Sequence, residues 1–208
     1  MISNASKALE NMPMRSQDDR RAQILEVAYR LIKHYGYHKT TIADIAREAD
    51  IGVGTVYLEF SSKEAIVAAL SKTCHEKVLA AMHTAAFAPG AFSERLEKMF
   101  SCRIEHFAQV IQEGQHAIEL VQSICRSVSD VHREFNAREE ALLVAFLKDA
   151  HQAREFHVDD IPMTARVLLR AYQTFSPPLI FDEPQETLEE LLKTTHRVIL
   201  KGLLQRNN

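Results

Sequence analysis

Glycine and proline are scarce in this 208-residue chain, six of each, and nearly all fall between amphipathic runs: Pro13, Gly36, Gly52, Pro89-Gly90, Gly114, Pro162, Pro177-Pro178 and Pro184. Residues that break helices therefore outline them. Alternation with strand period is missing over any useful length, so an all-α fold is expected. Cysteine is sparse as well. Cys74, Cys102 and Cys125 are odd in number and set in apolar helical patterns, which argues against a disulfide framework and suits reduced thiols in a cytoplasmic protein. No run approaches the roughly 18 uninterrupted apolar residues of a membrane span, so no membrane is expected as partner. The stretch Met1 to Met14 has neither a basic start nor an apolar centre, and reads as a disordered lead-in over 1–17 rather than a signal peptide. An excess of one charge is lacking too. At a net −3 the whole molecule does not seek a polyanion, and any nucleic-acid surface must be local.

Chemistry-bearing motifs are equally thin. There is no strand-turn-helix nucleophile elbow and no glycine-rich phosphate loop, so neither an enzymatic activity nor a cofactor is expected. Cys102 and His106 lie four apart on one helix face and Cys74-His75 on another helix. Without a CxxC or HxxxH pair, that spacing is a weak metal signal, and no metal site is assigned.

What the sequence does contain is a series of capped amphipathic helices. The first follows Asp18 and Asp19, places Ile24, Leu25, Ala28, Leu31, Ile32 and Tyr35 on one face, and stops at Gly36. A second begins at Thr41, with Asp44 completing a capping box and Ile42, Ile45, Ala46 and Ala49 as its apolar side. After Asp50-Ile51-Gly52 comes a short third helix, Val53 to Phe60, with Val56 and Phe60 inward. Ser61-Ser62-Lys63-Glu64 opens a long fourth, with Ile66, Leu70, Cys74, Val78 and Ala81 in line. Further helices are expected at 92–112, 116–128, 131–153, 161–174 and 185–206. The sequence divides into the lead-in, a small unit at 18–65 and a larger one at 66–208.

Two short helices joined by a tight turn, Thr41 to Ala49 and Val53 to Phe60, have the proportions of a helix-turn-helix that lays its second helix in the major groove. Val53, Gly54, Thr55 and Tyr57 would then be its outward residues. Gly54 lets the backbone approach the duplex, and the methyls of Val53 and Thr55 can meet a thymine methyl. Residues 1–65 hold nine basic and nine acidic side chains. Phosphate binding must therefore rest on the placement of Arg20, Arg21, Lys39 and Lys63, and a modest salt dependence follows.

The run Thr40-Thr41-Ile42-Ala43-Asp44-Ile45-Ala46-Arg47-Glu48-Ala49, then Gly52-Val53-Gly54-Thr55-Val56-Tyr57-Leu58-Glu59-Phe60-Ser61-Ser62-Lys63-Glu64-Ala65, resembles the DNA-binding signature of TetR-type repressors. Ile24 to Ala28 and Gly36-Tyr37 also fit, so the likeness covers about residues 20–66. Where many relatives have glycine in the turn this chain has Asp50, and where they often have basic or aromatic residues it has Leu58-Glu59. The resemblance implies an all-α homodimer that pairs through its last two helices, binds palindromic double-stranded operator DNA, and is released by a small-molecule effector held in the C-terminal domain. By position, Thr41, Thr55, Tyr57, Leu58 and Lys63 become DNA contacts, with Val53 and Gly54 nearest the bases.

Met99, Phe100, Arg103, His106 and Phe107, which combine apolar surface with two polar handles, are the expected centre of an effector pocket, joined by Phe135, Phe146, Tyr172 and Phe175. The same side chains at helical spacing also fit an ordinary core. Two other readings stay open at this point: a small-molecule binding module whose helix-turn-helix makes protein contacts, and a metal-dependent helical enzyme using Cys102 and His106.

Overall fold

A computed structural model of the chain describes residues 17–112, 116, 118, 129–176, 180 and 184–204. The lead-in up to residue 16, Cys125 and nearly all of the helix expected at 116–128 lie outside these, as does the side chain of Phe107.

The described residues form α1 (Gln17–Tyr35), α2 (Ile42–Glu48), α3 (Val53–Glu59), α4 (Lys63–Ala86), α5 (Phe92–Gln112), α6 (Ser129–Gln152), α7 (Ile161–Tyr172) and α8 (Gln185–Leu203), with one 3-10 turn at Gln173–Phe175. No strand occurs among them, and a lone antiparallel bridge joins Phe156 to Leu204. None of the described helices is long and apolar enough to cross a membrane.

The helix ends follow local chemistry. α1 carries Asp18 and Asp19 in its first turn and Lys33 and His34 in its last, which complements the helix dipole at both ends. It stops at Gly36, whose φ of 89° suits a residue without a Cβ. Ser62 caps α4 by accepting from the Ala65 amide, and Asp160 caps α7 by accepting from Met163. Pro162 sits in the first turn of α7, where a missing N–H costs nothing.

Packing separates along α4. Ile24, Val27 and Ala28 of α1, Ile45 and Ala46 of α2, Val56 of α3 and Phe60 close around Ile66. A larger cluster starts at Val78 and runs through Met82, Leu96, Phe100, Leu143, Leu147, Leu168 and Tyr172 to Leu203. Each fully buried aliphatic or aromatic side chain of this size contributes about 1.5–3 kcal/mol.

Two expected faces are corrected. Tyr35 is 54% exposed. Beside Ile32 and Val67 the space is taken by Tyr37 from the following loop, so Tyr35 overhangs the end of α1. Ala81 is exposed while Met82 is buried. α4 packs on α1 at its start and on α5 and α6 further along, so its buried arc moves around the helix and no single line of residues describes it.

Candidate nucleic-acid interface and polar core

The three N-terminal helices are held by bonds that the backbone alone could not supply. Thr41 accepts from the Asp44 amide at 3.1 Å while its own amide and hydroxyl donate to Asp44 Oδ2 at 3.0 and 2.6 Å. That is a complete capping box. These bonds to Thr41, and then the guanidinium of Arg47, hold the Asp44 carboxyl below its ordinary range. Asp50 turns the chain between α2 and α3 with φ of 53°, the left-handed region that aspartate tolerates better than most residues. Gln23 of α1 donates to the Ala49 carbonyl at 2.9 Å, fixing the same turn from the other side.

With α2 and α3 so fixed, α3 turns Val56 fully inward and leaves Val53, Tyr57 and Leu58 exposed at 42%, 53% and 84%. Gly54 lies among them, and a Cβ built on it would meet nothing within 4 Å. Thr55, at the edge of this face, and Glu59, on the opposite side of the helix, are half-buried. Three apolar side chains of this seven-residue helix thus stay in water and gain nothing from folding of the chain.

The cations expected to meet phosphate fall into two groups. Arg20 is half-buried and Lys39 is exposed. Arg21 and Lys63 are instead tied into the head. Arg21 donates to the Glu59 carbonyl at 2.7 Å and lies 4.0 Å from the centre of the Phe60 ring, joining α1 to the end of α3. Lys63 donates to the carbonyls of Tyr37 and Thr40 at 2.9 and 3.1 Å. Tyr37 in turn donates to Glu64 at 3.0 Å, so the α1–α2 loop is clasped by the first turn of α4.

In the larger unit, Met99, Phe100, Arg103, Phe135, Phe146, Tyr172 and Phe175 are all buried, and His106 is half-buried. The apolar ones all belong to the large core cluster, and within it their rings pack in separate groups. Phe100 stacks on Tyr172, with Phe175 beside it. Phe135 stacks on His75, and Phe146 packs with Phe92 and Phe156. An open groove of about 600 Å³ lies along α6, lined by Ala137, Ala141, Val144 and Lys148 and by none of these residues.

The polar groups inside form a layer across α4, α5 and α6. Arg103 pairs with Glu139 at 2.6 Å, both almost wholly buried, and donates to Ser176 at 2.7 Å. Burial holds the Glu139 carboxyl above its ordinary range although Arg103 opposes the shift. Cys74 Sγ lies 3.3 Å from His106 Nε2, and burial pushes the Cys74 thiol up to about 11. Such a thiol stays protonated at neutral pH and is a poor metal ligand or nucleophile. Cys102, expected beside His106, donates instead to the Met99 carbonyl at 3.2 Å, and burial raises its thiol too. Among the described residues, no three His, Cys, Asp or Glu side chains converge as a metal site.

Sequence reasoning missed Glu139 and Ser176, the partners of Arg103, and the buried pairing of Tyr172 with His196. A signal existed for the acid. Glu139 sits on the line Phe135, Leu142, Leu143 and Phe146 of α6, and a charge on an apolar stripe requires a partner.

Comparison with known proteins agrees with the layout. The sequence profile of "Bacterial regulatory proteins, tetR family" matches residues 24–70, the span that builds the smaller cluster. The fatty acid metabolism regulator protein of Bacillus subtilis is 27% identical over 111 residues, 53% of this chain and 55% of that protein. The chain thus spans about half the length of this curated relative. Two solved structures are similar almost end to end. A TetR/AcrR regulator from Thermobifida fusca has a TM-score of 0.67 at 23% identity, covering 88% of this chain and 98% of the other. FadR from Bacillus subtilis, solved in complex with stearoyl-CoA, has a TM-score of 0.66 at 21% identity, covering 87% and 98%. At these identities the likeness concerns the fold. The relatives are regulators of transcription and not enzymes.

Proposed function

Because this chain is a transcriptional regulator of the TetR family, we propose that it acts in the cytoplasm as a homodimeric repressor, binding a palindromic operator and leaving it when a small molecule enters the larger unit. The observation that carries the reading is where large apolar side chains are left in water. Val53, Tyr57 and Leu58 stand on α3; Met163 and Val167 stand on α7, and Leu191 and Val198 on α8. The first group fits a groove reader. The second fits a four-helix contact with a second copy, in which Gly202 of α8, open to solvent on its Cβ side, allows close helix approach.

In this reading residues 18–65 are the DNA-binding unit and 66–208 the effector and dimer unit. Two heads would enter successive major grooves about 34–36 Å apart. Phosphate contacts fall to Arg20, Lys39 and the exposed Thr41, with Arg21 at the edge, while Lys63 serves the head from inside. The effector would enter by parting Phe100 from Tyr172 near Arg103, which favours a largely apolar molecule with a polar end. The stearoyl-CoA complex of the Bacillus subtilis neighbour supports an acyl compound as the first class to try. An effector shifts the protein only by its difference in affinity for the two forms.

Selection of bound duplexes from a random pool, with sedimentation of the same preparation, tests this. A palindromic consensus bound by a dimer is expected, and Val198→Glu should give a folded monomer with little affinity for the recovered site. A chain with no preference for any duplex, or a Val198→Glu variant that still binds as a dimer, would defeat the proposal.

A further inference from the structure

The outward side of α3 is defined by what it can say to a base pair. Successive helical residues are turned by about 100°. Val53, Tyr57, Gly54 and Leu58 therefore follow one another around a continuous arc, with half-buried Thr55 beyond Leu58, buried Val56 beyond Val53 and half-buried Glu59 opposite. In the major groove guanine is singled out by bidentate Arg or Lys, adenine by Asn or Gln, and the cytosine amino group by Asp or Glu. The segment Val53–Glu59 contains no Arg, Lys, Asn or Gln. Its one acid, Glu59, has a carboxyl oxygen buried and its carbonyl bound to Arg21. Arg47, on the preceding helix, is paired with Asp44 at 2.6 Å. What remains is an isopropyl group, an isobutyl group, a phenol and bare backbone.

Such a surface can detect one distinctive feature of a base pair, the C5 methyl of thymine. On the DNA-binding reading above, we infer that this protein reads its half-sites chiefly through thymine methyl groups received by Val53 and Leu58 on either side of Gly54. Tyr57 and Thr55 add single hydroxyl bonds. The inference explains why Leu58, on an otherwise well-packed head, is 84% exposed: its partner is a methyl on the other molecule. It also sets the style of specificity. Each methyl contact is worth about four-fold in affinity, the equivalent of about 0.8 kcal/mol, whereas a bidentate pair gives roughly five- to a hundred-fold. Discrimination accumulates over several thymines and over two heads.

The test uses the duplex recovered from the random pool, resynthesised with deoxyuridine at one half-site thymine at a time. Uracil pairs as thymine does and lacks only the methyl. Loss of about four-fold at each contacted position is expected, and 5-methylcytosine placed there should bind better than cytosine. Leu58→Ala should bind thymine and uracil duplexes alike at the position Leu58 touches, with the salt dependence unchanged. Equal affinity for thymine and uracil duplexes throughout the half-site would overturn the inference while leaving DNA binding intact. So would a recovered half-site built on invariant G·C pairs. A pool that yields no preferred duplex removes the DNA-binding reading and this inference together.

Discussion

Lys63 and Tyr37 are joined twice: the ammonium donates to the Tyr37 carbonyl at 2.9 Å and lies 4.1 Å from the centre of its ring. A further bond to the Thr40 carbonyl makes Lys63 the pin between the loop before α2 and the start of α4. We propose that a cation held this way positions the head instead of meeting a phosphate.

The salt dependence of operator binding separates those two roles. Lys63→Met, which keeps the apolar stem, should weaken operator binding without altering the slope of log affinity against log salt. A lysine on phosphate would lower the slope by about 0.9. Salt titrations of wild type and variant decide the matter, and a slope reduced by that amount would return Lys63 to the DNA surface.

Gly54 separates stability from binding. Nothing in the protein occupies the space of its Cβ. Gly54→Ala should raise folding stability by roughly 0.5–1 kcal/mol, because alanine loses less backbone entropy in a helix. The same methyl stands where the backbone would approach the duplex, so operator affinity should fall. Thermal melts paired with binding isotherms read both; a variant that binds as tightly as wild type means that Gly54 is not at the interface.

The buried pair of Arg103 and Glu139 should show strong non-additivity. Arg103→Met alone leaves an uncompensated buried acid and should cost about 3–5 kcal/mol. Joined with Glu139→Leu, most of that loss should be recovered, since two apolar groups need no partner. Denaturant melts of the two single variants and the double complete the cycle. Additive losses would show that the two side chains do not act as a pair.

Acid should weaken the fold through His75. Burial, then the like charges of His132, Arg103 and His106, brings this imidazole down to about 4, opposed by Glu76 on its own helix. The unfolded chain takes up this proton near pH 6.5 and the folded protein only near 4, so stability falls as pH drops through that window and levels off below it. Burial lowers His106, His132 and His196 in the same direction. His75→Phe, which keeps a ring against Phe135, should reduce the slope by up to about 1.4 kcal/mol per pH unit. Melting curves across pH 4–7 that run parallel for variant and wild type would contradict the assignment.

How far the fold could be read from sequence follows the range of the interactions. The Thr41–Asp44 box, the stop at Gly36 and the left-handed Asp50 involve residues a few positions apart, and the residue types alone point to them. The helices near 92–112, 161–174 and 185–206 were legible from their apolar stripes for the same reason. Lys63 was legible as a helix start and not as a clasp, because its partners lie 23 and 26 positions away. Spacing alone sets Cys102 one turn from His106 on the same helix, and the contact of His106 with Cys74, 32 positions away, shows only in the structure. Tyr35 failed for the complementary reason: its spacing was helical, but the space beside Ile32 is filled by Tyr37 from the following loop.

α4 is an unbroken helix of 24 residues, with one end in the small core and the other in the large one. At about 1.5 Å per residue it is roughly 36 Å long. Swung by about 5° around its far end, it would carry the reading head through about 3 Å, close to the 3.4 Å step from one nucleotide to the next along a strand. Angular error at one end becomes misregistration at the other, so in the proposed dimer a small wedge in the interior would put both heads out of step with the duplex.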